Sequence, residues 1–155
     1  MGDTHRNQHF ASFIKKQFPK IKSVLVVADG KGGLARELAS QGLAVHVIEA
    51  KPRFKWSDRR GIKYQRGWFT REHKVTEDLI VGMHPDEATA EIIIAATTSN
   101  KPWAVVPCCL KGDAAKGVLC FKGWLNKLRS LARNQTVLEW QLPISGKNIV
   151  LFHKR

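Results

Sequence analysis

Ser23-Val-Leu-Val-Val-Ala-Asp-Gly-Lys-Gly-Gly-Leu-Ala-Arg-Glu-Leu38, with Ala44-Val-His-Val-Ile-Glu49 after it, is the stretch that decides the fold. Ser23 to Ala28 is an apolar run of strand length, the pattern of a strand buried on both faces of a parallel sheet. Asp29-Gly-Lys-Gly-Gly33 follows without a gap. Leu34 to Gln41 then reads as a helix, with Leu34 and Leu38 on one face and Gly42 as its stop. Ala44 to Ile48 is a second buried strand, and Glu49 stands at its end. The unit is strand, glycine loop, helix, strand. Within it lies Gly30-x-Gly32-x-x-Ala35, with Glu49 nineteen positions after Gly30. The first glycine permits the turn, the second lets a ligand approach the backbone, and the small third residue lets helix and strand pack. The helix start is expected to offer unpaired N–H groups, and the acid suits ribose hydroxyls. A nucleoside-type cofactor is therefore expected, against the plainer possibility of turn glycines and a solvated strand end. The fingerprint alone does not separate a nicotinamide dinucleotide from other nucleosides.

Outward from this unit the pattern stays α/β. Phe10, Phe13, Ile14 and Phe18 fall at helical spacing before it, with Pro19 at or just past the helix end. Downstream, strands are expected at 62–65, 78–82 and 103–107, and helices at 88–99 and 121–133. Two final strands, Val137 to Leu142 and Ile149 to His153, are joined by six residues, too few for a parallel crossover. They should form an antiparallel hairpin closing a mostly parallel sheet. Trp103, Trp124 and Trp140 are expected in the core. The connections between the second, third and fourth strands are short, so one sheet face should be thinly covered. Residues 1–22 read as an N-terminal helical extension and 23–155 as the main domain.

The chain has 155 residues and a formal net charge of +13. Its 43% hydrophobic and 25% charged residues exclude a disordered chain or a disulfide mini-protein, and the charge points to a polyanionic partner, nucleic acid before an anionic membrane surface. One segment, residues 51–66, is dense in basic residues, with 7 of the 26. Lys51, Arg53, Lys55, Arg59, Arg60, Lys63 and Arg66 face one acid, Asp58, and Phe54, Trp56 and Tyr64 interleave with them. Basic groups follow phosphates and aromatic rings stack on unpaired bases, so RNA is the expected partner. A solvated surface loop is the alternative. Cys108, Cys109 and Cys120 make no disulfide framework, and an intracellular, reducing compartment is expected. No apolar run approaches the roughly 20 residues that span a bilayer, and the first ten residues lack the apolar core of a secretory signal.

The stretches VLVVADGKGGLARELA, VHVIEA, VGMHPDEAT and AVVPCC together resemble the class I S-adenosylmethionine-dependent methyltransferases. They look most like a branch of small RNA-methyltransferase-like proteins with Cys-Cys after the fifth strand. LPISGKNIVLF resembles that branch's closing hairpin. The resemblance covers about residues 23–153. It implies a Rossmann-like sheet in the order 3-2-1-4-5-7-6. It implies S-adenosyl-L-methionine held by Asp29, Gly30, Lys31, Gly32, Glu49 and His84, with no pyrophosphate for Asp29 to repel. Two positions depart from it: the usual acid of the first strand corresponds to Val26, and the usual first glycine to Ala28. No Asn-Pro-Pro-Tyr or Asp-Pro-Pro-Tyr motif occurs, so methylation of exocyclic base amines is not implied.

Methyl transfer needs an in-line nucleophile, and a hydroxyl acceptor also needs a base. His84 and Asp86, leaving the fourth strand, are the candidate catalytic residues. The structural alternative has Asp86 capping the next helix and His84 bonded to backbone. No metal site is expected: adjacent cysteines are awkward ligands, and Cys120 and His84 would have to join them. Cys108 and Cys109 are read as pocket wall. Two functions remain. One is an RNA methyltransferase acting on rRNA or tRNA. The other is a degenerate methyltransferase fold serving as a structural or assembly component of a ribonucleoprotein such as a ribosome.

Overall fold

The central strand β1 (Ser23–Val27) pairs in parallel with β2 (Ala44–Glu49) on one side and β4 (Leu79–Met83) on the other. The computed structural model describes residues 4–53 and 61–155. Outside β2 lies the parallel strand β3 (Ile62–Arg66), and outside β4 the parallel strand β5 (Trp103–Val106). β7 (Ile149–His153) then pairs antiparallel with β5, and β6 (Leu138–Gln141) antiparallel with β7. The seven-stranded order is β3-β2-β1-β4-β5-β7-β6, as the resemblance implies.

Alternation along β1 assigns its side chains to two cores. Val24 and Val26 face one, with Phe10, Phe13 and Ile14 of α1 (Arg6–Gln17) and Leu34 and Leu38 of α2 (Gly33–Ser40). Leu25 and Val27 face the other, with Ile92 and Ile93 of α3 (Ala88–Thr98) and Trp124 and Leu128 of α4 (Phe121–Leu131). α1 thus shares a core with the sheet. On the α3/α4 face the link from β3 to β4 supplies Phe69 and Val75 and no helix, so cover there is thin.

Trp103 and Trp124 are fully buried, but Trp140 is 46% exposed, against the expectation that it belongs to the core. Its strand, β6, is the sheet edge and is exposed along its length. The ring rests beside Phe13, with the Lys16 ammonium 6.0 Å from its centroid. The last long helix is expected to reach Arg133 but stops at Leu131, because the chain turns left-handed at Arg133 (φ 52°). No helix among the described residues is long and apolar enough to cross a membrane.

Candidate functional site

The chain leaves β1 towards β2 on one side, while β4 and β5 lie on the other. The carboxyl ends of β1 and β4 therefore form the switch point where open α/β sheets hold ligands. A cleft of about 970 Å³ opens there, at the upper end of the roughly 300–1,000 Å³ usual for ligand pockets. Its walls include the loop after β1, Glu49, Trp68 and residues 83–88.

The glycine loop turns left-handed at Ala28 (φ 61°), Gly30 (φ 56°) and Gly32 (φ 78°). Ala28 stands where the resembling family has glycine, and it adopts the backbone that glycine would supply. Asp29 turns inward: Oδ1 accepts from the Leu34 N–H (3.1 Å) and Oδ2 from the Ala35 N–H (2.9 Å). Two of the helix N–H groups expected to await a ligand are thus satisfied by the loop's own acid. Burial pushes the Asp29 carboxyl up to about 6, with the two N–H groups pulling the other way. Glu49 is only 9% exposed. Its Oε2 accepts from the Gly30 N–H (2.7 Å) and its Oε1 from the Lys51 N–H (2.9 Å). A carboxylate has about four acceptor positions, so each oxygen retains one for a hydroxyl in the cleft. A Cβ at Gly30 would meet nothing within 4 Å, so the loop's backbone is open on that side. Lys31 is exposed at the rim.

After β4 the chain is again left-handed at His84 and Asp86 (both φ 51°), on either side of Pro85. The His84 Nδ1 lies 3.2 Å from Arg6 Nη1, and Nε2 lies 2.9 Å from the Lys147 carbonyl. A guanidinium only donates, so Nδ1 accepts and the ring proton sits on Nε2, given to Lys147. Burial, and the Arg6 charge, hold the imidazole below its ordinary pKa, so it is neutral. The Asp86 carboxylate does not cap α3; its backbone carbonyl accepts from Thr89. Its Oδ1 accepts from the Cys108 thiol at 3.2 Å, and Oδ2 lies 3.6 Å from the Lys111 ammonium. The cysteines are half-buried beside Asp86 and are not part of the cleft wall. Cys120 lies apart from them at the start of α4, accepting from the Gly123 N–H.

The basic segment divides. Lys51 and Arg53 stand on the rim of the cleft, and the Arg53 N–H donates to the Gly30 carbonyl. The Lys51 ammonium lies 5.7 Å from the ring of Trp68, which is 64% exposed. Arg66 is exposed at the end of β3 nearest the cleft, whereas Lys63 lines a second cleft beside His73 and Lys74, at the strands' amino ends. Lys55, Trp56, Arg59 and Arg60 lie outside the described residues.

Arg6, Asn7 and Trp68 line the cleft and were not candidates from sequence. Arg6 has a signal in hindsight: it continues the face of Phe10 and Phe13 one turn towards the helix start. Trp68, a lone aromatic after Gly67, has none.

No family model matches the chain, and no curated protein matches it in sequence. Solved structures do match. An amino pentose methyltransferase from Micromonospora echinaspora, with S-adenosylmethionine bound, superposes with a TM-score of 0.65 at 10% identity, over 96% of this chain and 90% of that one. A candidate methyltransferase from an antibiotic biosynthesis pathway of Anabaena variabilis gives 0.61 at 15% identity, over 86% of this chain and 64% of that one. Human N-acetylserotonin methyltransferase, in complex with S-adenosylmethionine, gives 0.59 at 15% identity, over 96% and 51%. This chain thus spans under two thirds of the last two. At such identities the likeness is one of fold, and the fold is that of the class I S-adenosylmethionine-dependent methyltransferases.

Proposed function

We propose that this chain is an S-adenosylmethionine-dependent methyltransferase that acts on RNA. The observation that carries the cofactor reading is Glu49: a buried carboxylate at the end of β2, fixed by two backbone N–H groups and retaining an acceptor position on each oxygen beside the cleft. That geometry suits the two vicinal hydroxyls of a ribose. Bound S-adenosylmethionine supplies a methyl group on a positively charged sulfur. The chain's own residues do the rest. The open backbone at Gly30 admits the nucleoside, and exposed Trp68 offers a face to a base. His84, neutral and held by Arg6 and Lys147, orients the wall after β4. Asp86 remains the group able to take a proton from a hydroxyl acceptor.

The RNA reading rests on the charge of +13 and on Lys51 and Arg53 at the rim. Purified protein with labelled donor should place label in RNA from cells lacking the gene, and ribonuclease should release it. Label confined to small molecules would remove RNA as acceptor. Replacing Arg53, Lys55, Arg59 and Arg60 with Ser should flatten the slope of log affinity against log salt by about 3. The second reading, a non-catalytic ribonucleoprotein component, is favoured by one observation: both ring nitrogens of His84 are already engaged. Full cellular function of a stably folded His84→Ala, Asp86→Ala double variant would favour it.

A further inference from the structure

We propose that Asp86, Cys108 and Cys109 form a binding site for a thiophilic divalent cation, zinc in the cell, with one coordination position left open. The three side chains come from two elements: Asp86 from the exit of β4, the cysteines from the exit of β5, where the chain bends at Cys109. Their ligand atoms all lie within 4.8 Å of one another, and the Cys108 sulfur lies 3.2 Å from Asp86 Oδ1. In a tetrahedral zinc site, bonds of about 2.3 Å to sulfur and 2.1 Å to oxygen set ligand atoms roughly 3.6 Å apart. The cluster needs only small side-chain adjustments to meet that spacing. Two thiolates and a carboxylate select zinc over magnesium or calcium, which take oxygen ligands.

The metal-free protein already puts a cation at this carboxylate. Lys111 brings its ammonium 3.6 Å from Asp86 Oδ2, and its side chain is 53% exposed, free to swing away. The backbone holds it near: Gly112 takes a left-handed φ of 89°, and a Cβ there would crowd the Glu87 carbonyl at 3.1 Å, so glycine suits this close approach. A thiol must lose its proton to hold the ion, so binding strengthens as pH rises. Three protein ligands and an open position are the arrangement of catalytic, not structural, zinc. Asp86 borders the cleft, so a water, hydroxyl or thiol held at the open position would be acidified there, and with the ion bound this replaces the proton-accepting role of the free Asp86 carboxylate. The site stands whether or not the chain transfers methyl groups.

Tag-free, reduced, full-length protein titrated with cobalt(II) tests this without any methyl donor. The expected result is one equivalent bound, with thiolate-to-cobalt absorption in the near ultraviolet that zinc abolishes. At saturation Cys108→Ser and Cys109→Ser should each lose about half of that absorption and weaken binding by at least about 10-fold. Cys120→Ser should change nothing. Lys111→Ala, which removes a competing charge and touches no core, should tighten binding several-fold. No absorption in the wild type, absorption left undiminished by Cys108→Ser, or weaker binding by Lys111→Ala would each overturn the proposal.

Discussion

The two halves of the cleft are built differently. After β1 and β2, side-chain acids hold backbone N–H groups: Asp29 holds Leu34 and Ala35, and Glu49 holds Gly30 and Lys51. After β4 and β5, side chains and remote carbonyls hold one another: Arg6 to His84 to Lys147, and Lys111 to Asp86 to Cys108. The first half fixes a shape, and its partners lie within about twenty residues. The second fixes protonation states and charges, and its partners come from both ends of the chain. On the function proposed above, the first half would hold the cofactor and the second the acceptor.

The same substitution should expose the difference. A Cβ at Gly82, in β4, would stand 2.7 Å from Ile92 Cδ1 and 2.9 Å from Pro85 Cγ. The proline ring cannot rotate away, so Gly82→Ala should cost about 3 kcal/mol in urea unfolding. Gly30→Ala meets no atom and bears only the left-handed backbone, costing about 1 kcal/mol. Equal losses would erase the contrast between a packed β4 side and an open β1 side.

Asp29 gives a pH signature that belongs to the first half alone. Its folded pKa, about 6, lies above the ordinary 3.8, so the native state binds the proton more tightly than the unfolded chain. Its stabilising contribution is fully present below 3.8 and is lost as pH rises through 6. Urea unfolding at pH 4 and pH 7 should show wild type losing on the order of 2 kcal/mol relative to Asp29→Asn. A constant difference between the two proteins would mean that the Asp29 pKa is not raised.

The smallest effect has the opposite sign. Ala28 holds φ 61° without glycine's freedom. Ala28→Gly should relieve that strain and stabilise the protein by about 0.5–1 kcal/mol, read as a rise in Tm. Destabilisation would mean that the methyl group is needed where it lies, against the second core.

The first half was legible in the sequence because its information is local. The glycine loop, the helix after it and Glu49 follow one another, and apolar periodicity fixes strand, helix and order of faces. The closing hairpin was legible because six residues cannot cross over. What sequence reasoning missed is made by the folded chain. Arg6 meets His84 across 78 residues, and Asp86 meets Cys108 across 22. No spacing rule links such residues, so the cysteines read as wall and the arginine was not a candidate. Trp140 was misplaced for a related reason: an apolar residue in a strand does not announce that its strand is the edge.

The central claim, that Glu49 marks a nucleoside site, is tested most directly by calorimetry with S-adenosylhomocysteine. Glu49→Gln keeps one oxygen to accept a backbone N–H but turns its NH2 on the other, so its Tm is measured alongside, and it removes the charge that a ribose would share. Wild type should bind one equivalent. Glu49→Gln should bind about 100-fold more weakly, a loss of roughly 3 kcal/mol, and Asp86→Ala should match wild type within about 3-fold. No heat with wild type, or equal affinity in wild type and Glu49→Gln, would contradict the account.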